Sequence, residues 1–298
     1  MPRTTTGQRE AGIPPDRPRP FAVRRGPVII RGDVLPPPPG TPSVLLIPGG
    51  GQTRASWGRT AHSLATSGLG ALTVDLRGHG DSDQAPDADY GIDTLVGDLL
   101  AVCAALKEPP VVVGASLGGL IALLAVGEHP GCARALVMVD IAIDIQPSGV
   151  ERVRTFMTDG RSGFDTLDEF AHAVSRYTGT PPAPAERMRR HTRRGTDGRW
   201  YWHWDPTFID NMPDFLGSRD RLIAAARAVT VPALLVRGQR SDVVSADDLA
   251  ALGALLPHAE RLDVTGVGHM VTSDDNGVFT DGLATFVRSL EPKPNMSD

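Results

Sequence analysis

The sequence predicts an α/β protein built on a mostly parallel sheet with helices on both faces. Three observations carry that prediction. Short apolar runs recur along the chain, helix-period segments separate them, and a Gly-x-Ser-x-Gly stands where one apolar run passes into a helix. The 298 residues, 41% of them hydrophobic and 22% charged, suffice for a large soluble core.

Residues 1–20 hold five prolines and four arginines with few apolar side chains, and are expected to stay disordered. Strands are expected over 28–30, 44–47, 72–74, 111–113, 136–139, 233–236 and 262–264, and helices over 56–67, 92–107, 117–129, 246–255 and 277–290. The run at 111–113 is short and lies between Pro109-Pro110 and Gly114, which favours a strand over a buried helix. Between 143 and 218 the alternation breaks. Two helical patterns, a stretch with Pro181, Pro182 and Pro184, and an aromatic cluster replace the strands, as in an inserted, mainly helical cap. The expected organisation is a core of residues 21–142 and 219–290, a cap of 143–218, and a flexible tail of 291–298.

Several function classes are disfavoured. A net charge of -5 without a basic stripe argues against nucleic-acid binding. No apolar stretch approaches the roughly 18 residues that span a bilayer, and the start Met1-Pro2-Arg3-Thr4 lacks a signal-peptide core, so a cytoplasmic protein with no membrane partner is expected. Cys103 and Cys132 give neither a disulfide framework nor a metal cluster. Gly49-Gly50-Gly51 lacks the dinucleotide-binding pattern and no phosphate-binding loop is present, so a cofactor-free, metal-free protein acting on a small molecule is expected.

The chemistry gathers at Ser116. A sharp strand-to-helix turn presents its hydroxyl, glycines at 114 and 118 keep side chains out of the turn, and the N–H of Leu117 and the helix N-terminus face developing negative charge. A serine hydroxyl needs a base, and the base needs an orienting carboxylate. His269, in Gly266-Val267-Gly268-His269-Met270 after the last strand, is the candidate base, with His79 its rival. Asp242, after the strand at 233–236, is the candidate acid, with Asp140 its rival. The order Ser, Asp, His, each after a separate strand, is that of an α/β-hydrolase.

Over about residues 25 to 290 the chain resembles the cap-bearing, single-domain α/β-hydrolases. Leu46-Ile47-Pro48-Gly49-Gly50-Gly51 is similar to the family's His-Gly-x segment, and Asp75-Leu76-Arg77-Gly78-His79-Gly80-Asp81-Ser82 to its loop after the next strand. Ser116 matches the elbow, Asp242 the acid and His269 the base. The resemblance implies the α/β-hydrolase fold and, as second oxyanion donor beside Leu117, the N–H of Gly50. Pro48 departs from the usual histidine, removing a donor and fixing its own φ, which bears on how that loop is held.

Trp200-Tyr201-Trp202-His203-Trp204-Asp205-Pro206 concentrates the aromatic residues within the cap. Trp202, His203 and Trp204, together with Trp57 and Met270, are candidates for the substrate pocket; the alternative is that the cap rings only glue the cap to the core. Arg187, Arg189, Arg190, Arg193, Arg194 and Arg199 would recognise a substrate anion or form a solvated face. The activity these readings favour is hydrolysis of a small carboxylic ester, lactone or thioester through an acyl-enzyme. The alternatives are C–C bond hydrolysis or a lyase, cyclase or perhydrolase-like reaction on the same triad, and, with an intact triad against it, a non-catalytic binding module.

Overall fold

The computed structural model describes residues 17–39, 41–144, 147–241, 243–266 and 277–290. The chain opens with a hairpin, β1 (Arg19–Arg25) and β2 (Val28–Leu35), closed by Gly26-Pro27 with Gly26 at φ +58°. There follow β3 (Ser43–Ile47), α1 (Gly58–Thr66), β4 (Gly70–Val74), α2 (Ile92–Ala104), β5 (Val111–Ala115), α3 (Leu117–Glu128) and β6 (Ala135–Val139). Next come α4 (Pro147–Asp159), α5 (Leu167–Thr178), α6 (Ala185–Met188), β7 (Thr192–Arg194), β8 (Trp200–Trp202) and α7 (Pro206–Asp210). The chain then returns to the sheet through α8 (Arg219–Ala228), β9 (Ala233–Gly238), α9 (Ala246–Leu255), β10 (Glu260–Val264) and α10 (Gly277–Ser289).

Eight strands form one sheet in the order β1-β2-β4-β3-β5-β6-β9-β10, parallel throughout except where β2 pairs antiparallel with β1 and β4. The central strands β5 and β6 are apolar at every position because both faces are covered. Their side chains alternate between two clusters: Val112, Leu136 and Met138 pack with α2, α3, α8 and α9, whereas Val111, Val113 and Val137 pack with α1 and α10. The segment from α4 to α7 joins no strand to this sheet. It builds a third cluster from Met157, Phe170, Met188, Trp202, Trp204 and Phe208, into which Tyr90 from the loop after β4 inserts.

Three elements differ from the sequence reading. Arg19 and Pro20, expected in a disordered start, open the edge strand β1, where proline and charge are tolerated because one side of the strand lacks a partner. Residues 1–16 and 291–298 lie outside the described residues. The helix expected over 56–67 begins as a 3₁₀ turn, Arg54–Trp57, before α1. The helix α8 carries three arginines, its apolar positions are mostly alanine, and it shows little periodicity, so no helix is expected there from the pattern.

The loop after β4 is anchored by a buried ion pair. Arg77 and Asp98 of α2, with side chains 5% and 7% exposed, pair through Nε–Oδ2 at 2.5 Å and Nη2–Oδ1 at 2.7 Å, and Arg77 also donates to the carbonyl of Asp89. Removing one partner strands the other's charge in the interior. Asp98→Ala is therefore expected to lower unfolding free energy by about 3–5 kcal/mol in urea titrations; a loss below about 1 kcal/mol would show the pair to be structurally idle.

Candidate active site

Ser116 caps α3 at φ 48° and ψ −120°, a conformation costly for any residue with a Cβ. It persists because its surroundings leave no alternative. Its N–H donates to Val139 O at 3.0 Å, and its carbonyl accepts from Gly119 and Leu120 at 2.9 and 3.1 Å. The flanking glycines are sterically required: a Cβ on Gly114 would lie 2.3 Å from the Gly118 carbonyl oxygen, and one on Gly118 would lie 2.5 Å from that of Pro48.

The loop after β3 passes beside this turn. A Cβ on Gly49 would stand 3.3 Å from Ser116 Cβ, and one on Gly50 would stand 3.2 Å from Leu117 Cδ2. Its successive N–H groups have different fates. Gly49 donates to Gln52 Oε1 at 3.3 Å, Gln52 N–H returns to Gly49 O at 3.2 Å, and Gly51 donates to His79 Nε2 at 3.1 Å. The N–H of Gly50 has no partner among the described residues, and neither does that of Leu117 in the first turn of α3. Two unclaimed donors thus stand beside the serine. Just beyond the loop, Arg54 binds the carboxylates of Asp33, Asp75 and Asp81 and donates its own N–H to Asp75 Oδ1 at 2.7 Å.

Ser116, Gly50 and Leu117 lie on one wall of a cavity of about 480 Å³. Phe156, Met157, Phe170, Met188, Tyr177 and Trp202, from the α4–α7 segment, and Phe215 are among its other lining residues. Trp202 and His203 line it; Trp57 and Trp204 do not. The 3₁₀ turn directs Trp57 into the sheet, where it is fully buried against Phe279, with ring centroids 5.9 Å apart. Trp204 is 2% exposed and stacks behind Trp202 at 4.3 Å. Asp242, His269 and Met270 lie outside the described residues; Val243, next to the first of them, lines the cavity.

Of the two rivals, His79 has another duty. His79 is wholly buried, with Nδ1 bonded to Arg77 O at 3.0 Å and Nε2 accepting from Gly51, so neither nitrogen is left to take a serine proton. Asp140, at φ 52°, accepts from Gly238 N–H at 3.2 Å and from Ser241 Oγ at 2.6 Å, bracing the turn that leads to position 242. The arginines of the 187–199 run do not line this cavity. Arg189 and Arg194 stack on the Trp200 ring, Arg193 lies over Tyr201, and Arg199 pairs with Asp165, so the run braces the β7–β8 hairpin. Of the side chains that fix the loop, Gln52 gave no signal in the sequence, whereas His79 stands in the motif after β4.

A sequence profile of the alpha/beta hydrolase fold matches residues 42–275. The chain belongs to that family. It is an enzyme of the hydrolase type. It is 30% identical over 246 residues to the esterase Rv0045c of Mycobacterium tuberculosis, covering 78% of each chain. It is 28% identical over 254 residues to a 3-hydroxybutyrate-oligomer hydrolase of Cupriavidus necator, covering 80% of this chain and 86% of that one. Among solved structures, E-2-(acetamidomethylene)succinate hydrolase superposes with a TM-score of 0.77 at 24% identity, covering 91% of this chain and all of that one. The Rv0045c crystal structure gives 0.67 at 27% identity, covering 92% and 91%. Among the described residues no helix is long and apolar enough to cross a membrane, and no group of three His, Cys, Asp or Glu side chains could hold a metal ion.

Two buried histidines of this family member are held neutral. Burial pulls His79 down to about 4 and His203, whose Nδ1 accepts from Gly80 N–H at 3.1 Å, well below its ordinary value. A histidine whose folded pKa lies below its unfolded one favours the native state above pH 6.5. That contribution is lost as pH falls from 6.5 towards 4. For His79 the loss amounts to about 3 kcal/mol. Urea midpoints measured across this window are expected to fall steeply in the wild type and less steeply in His79→Gln; identical slopes would contradict the assignment.

Proposed function

We propose that the enzyme is a serine hydrolase that cleaves a small, uncharged carboxylic ester, lactone or thioester through an acyl-enzyme on Ser116. One observation carries the reading: a serine on a strained strand-to-helix turn stands beside two N–H groups, of Gly50 and Leu117, that have no partner among the described residues, in a largely apolar cavity. The esterase and oligomer-hydrolase names of its relatives support it.

In this reading Ser116 Oγ attacks the carbonyl carbon while His269 takes its proton, and Asp242 holds the imidazole and stabilises its cation. The Gly50 and Leu117 N–H groups receive the carbonyl oxygen as it becomes an oxyanion, an arrangement in which losing one donor reduces rate by about 10²- to 10³-fold. Collapse of the tetrahedral species breaks the bond to the alcohol or thiol, which leaves with the proton from His269. Water, deprotonated by the same imidazole, then releases the acid and restores Ser116.

The cavity wall favours an apolar acyl group. Phe156, Met157, Phe170 and Trp202 surround the space, whereas Arg154, the arginine among the described lining residues, is exposed.

Intact-mass labelling with a fluorophosphonate is expected to add one phosphonyl group to the wild type and none to Ser116→Ala, with labelling of His269→Ala slowed by at least about 10²-fold. The same wild type is expected to convert neutral aliphatic and aromatic esters to acid and alcohol in preference to esters bearing a free carboxylate on the acyl side. A folded wild type that resists the probe would overturn the reading.

A further inference from the structure

Gly49-Gly50-Gly51 has no side chain to hold its own shape, and Gly51 sits at φ +71°. Its restraint therefore comes from outside. The N–H of Gly50 belongs to the peptide unit joining residues 49 and 50. The unit before it is pinned by Gly49 N–H on Gln52, and the unit after it by Gly51 N–H on His79. The unit's own carbonyl, Gly49 O, accepts from Gln52 N–H at 3.2 Å, so with both neighbouring planes held a flip of the middle N–H would break that hydrogen bond.

His79 is shaped for the task. Its Nδ1–H donates to Arg77 O at 3.0 Å, which fixes the tautomer and leaves the Nε2 lone pair facing Gly51 at 3.1 Å. The ring is gripped from the other side by the cap: Phe208 of α7 meets it edge-on, with centroids 4.6 Å apart. The cap also bonds the backbone on either side of His79, through Gly80 N–H on His203 Nδ1 at 3.1 Å and Asp205 N–H on Gly78 O at 2.7 Å. The loop at 77–80 thus touches the cap on one side and the glycine loop on the other.

We propose that His79 is a positioning residue that holds the glycine loop with the Gly50 N–H turned towards Ser116, and that the cap, through Phe208, keeps His79 in place. The inference rests on the serine-hydrolase reading above. It makes a correctly seated cap a condition for full oxyanion stabilisation, although no cap residue need supply a donor.

The test compares His79→Gln, whose side-chain oxygen can take the place of Nε2, with His79→Phe, which has no acceptor. Steady-state kinetics on a neutral ester, inhibition by a trifluoromethyl ketone, whose hemiketal carries an oxyanion, and hydrogen exchange of the Gly51 amide are measured on each. His79→Phe is expected to lose about 10²-fold in kcat with KM within about threefold, and its ketone inhibition constant is expected to rise in step with the fall in kcat/KM. Its Gly51 amide should exchange faster, and His79→Gln should recover kcat to within about tenfold of wild type. Should His79→Phe not fold, Phe208→Ala tests the same tie from the cap side, with a smaller kcat loss of about tenfold and the same proportional rise in the inhibition constant. A folded His79→Phe, or Phe208→Ala in its place, with unchanged kcat and unchanged Gly51 exchange would overturn the proposal. The exchange measurement needs no activity, so failure of the hydrolase reading, seen as a wild type inert to both ester and fluorophosphonate, is distinguished from failure of this one.

Discussion

The backbone of Ser116 is the constraint on which the rest of the site depends. At φ 48° and ψ −120° a serine is held in a region that L residues avoid, with a strain on the order of 1–3 kcal/mol. The sheet supplies the restraint. Strand β5 is paired on both edges, with β3 and β6, its last residue Ala115 is in register with Val139, and the Ser116 N–H is taken by the Val139 carbonyl. On the other side α3 is almost wholly buried between the sheet and its neighbours, so it cannot tilt to relieve the turn. The glycines at 114 and 118 follow from that rigidity, since the backbone carbonyls of Gly118 and Pro48 occupy the space a side chain would need.

Around this fixed turn the site is assembled from separately held pieces. Polar burial is managed by pairing: Arg77 with Asp98, Arg54 with three aspartates, Tyr90 Oη–H on Asp205 at 2.6 Å. Histidine is used at 79 and 203 in its neutral form, as an acceptor of backbone N–H groups, which suits a nearly dry interior where a cation would be costly. The cap supplies the apolar wall and also rests on the loop after β4, so pocket shape and the geometry of the glycine loop share a structural base. This arrangement explains why the cap is rich in rings: Phe156, Phe164, Phe170, Trp202 and Trp204 form one contiguous set of stacked and edge-on contacts that can hold a cap of short helices in place.

Much of the fold was legible because its signals are local. Valine and leucine runs bounded by proline and glycine mark doubly buried strands, and the Ser116 motif announces itself by lying between Val111–Val113 and the apolar helix that follows. What escaped is non-local. The strand β1 is held by its pairing with β2, and its short run Phe21-Ala22-Val23 stands between arginines and a proline. The direction of Trp57 is set by a 3₁₀ turn that an α-helical pattern misplaces by part of a turn, and Trp204 is hidden by Trp202, a neighbour in the same segment. The hold of His79 on Gly51 joins residues 28 apart, and the hold of Gly80 on His203 joins residues 123 apart. Spacing along a chain cannot reveal such contacts. The arginine run shows the converse: a conspicuous sequence feature whose partners include aromatic rings and two carboxylates of its own subdomain.

The measurement that bears most directly on this account is a crystal structure of the enzyme after reaction with an organophosphonate. Phosphorus is expected bonded to Ser116 Oγ, with the phosphoryl oxygen about 2.7–3.1 Å from the amide nitrogens of both Gly50 and Leu117. Phosphorus on another residue, or a phosphoryl oxygen turned away from either amide, would contradict it.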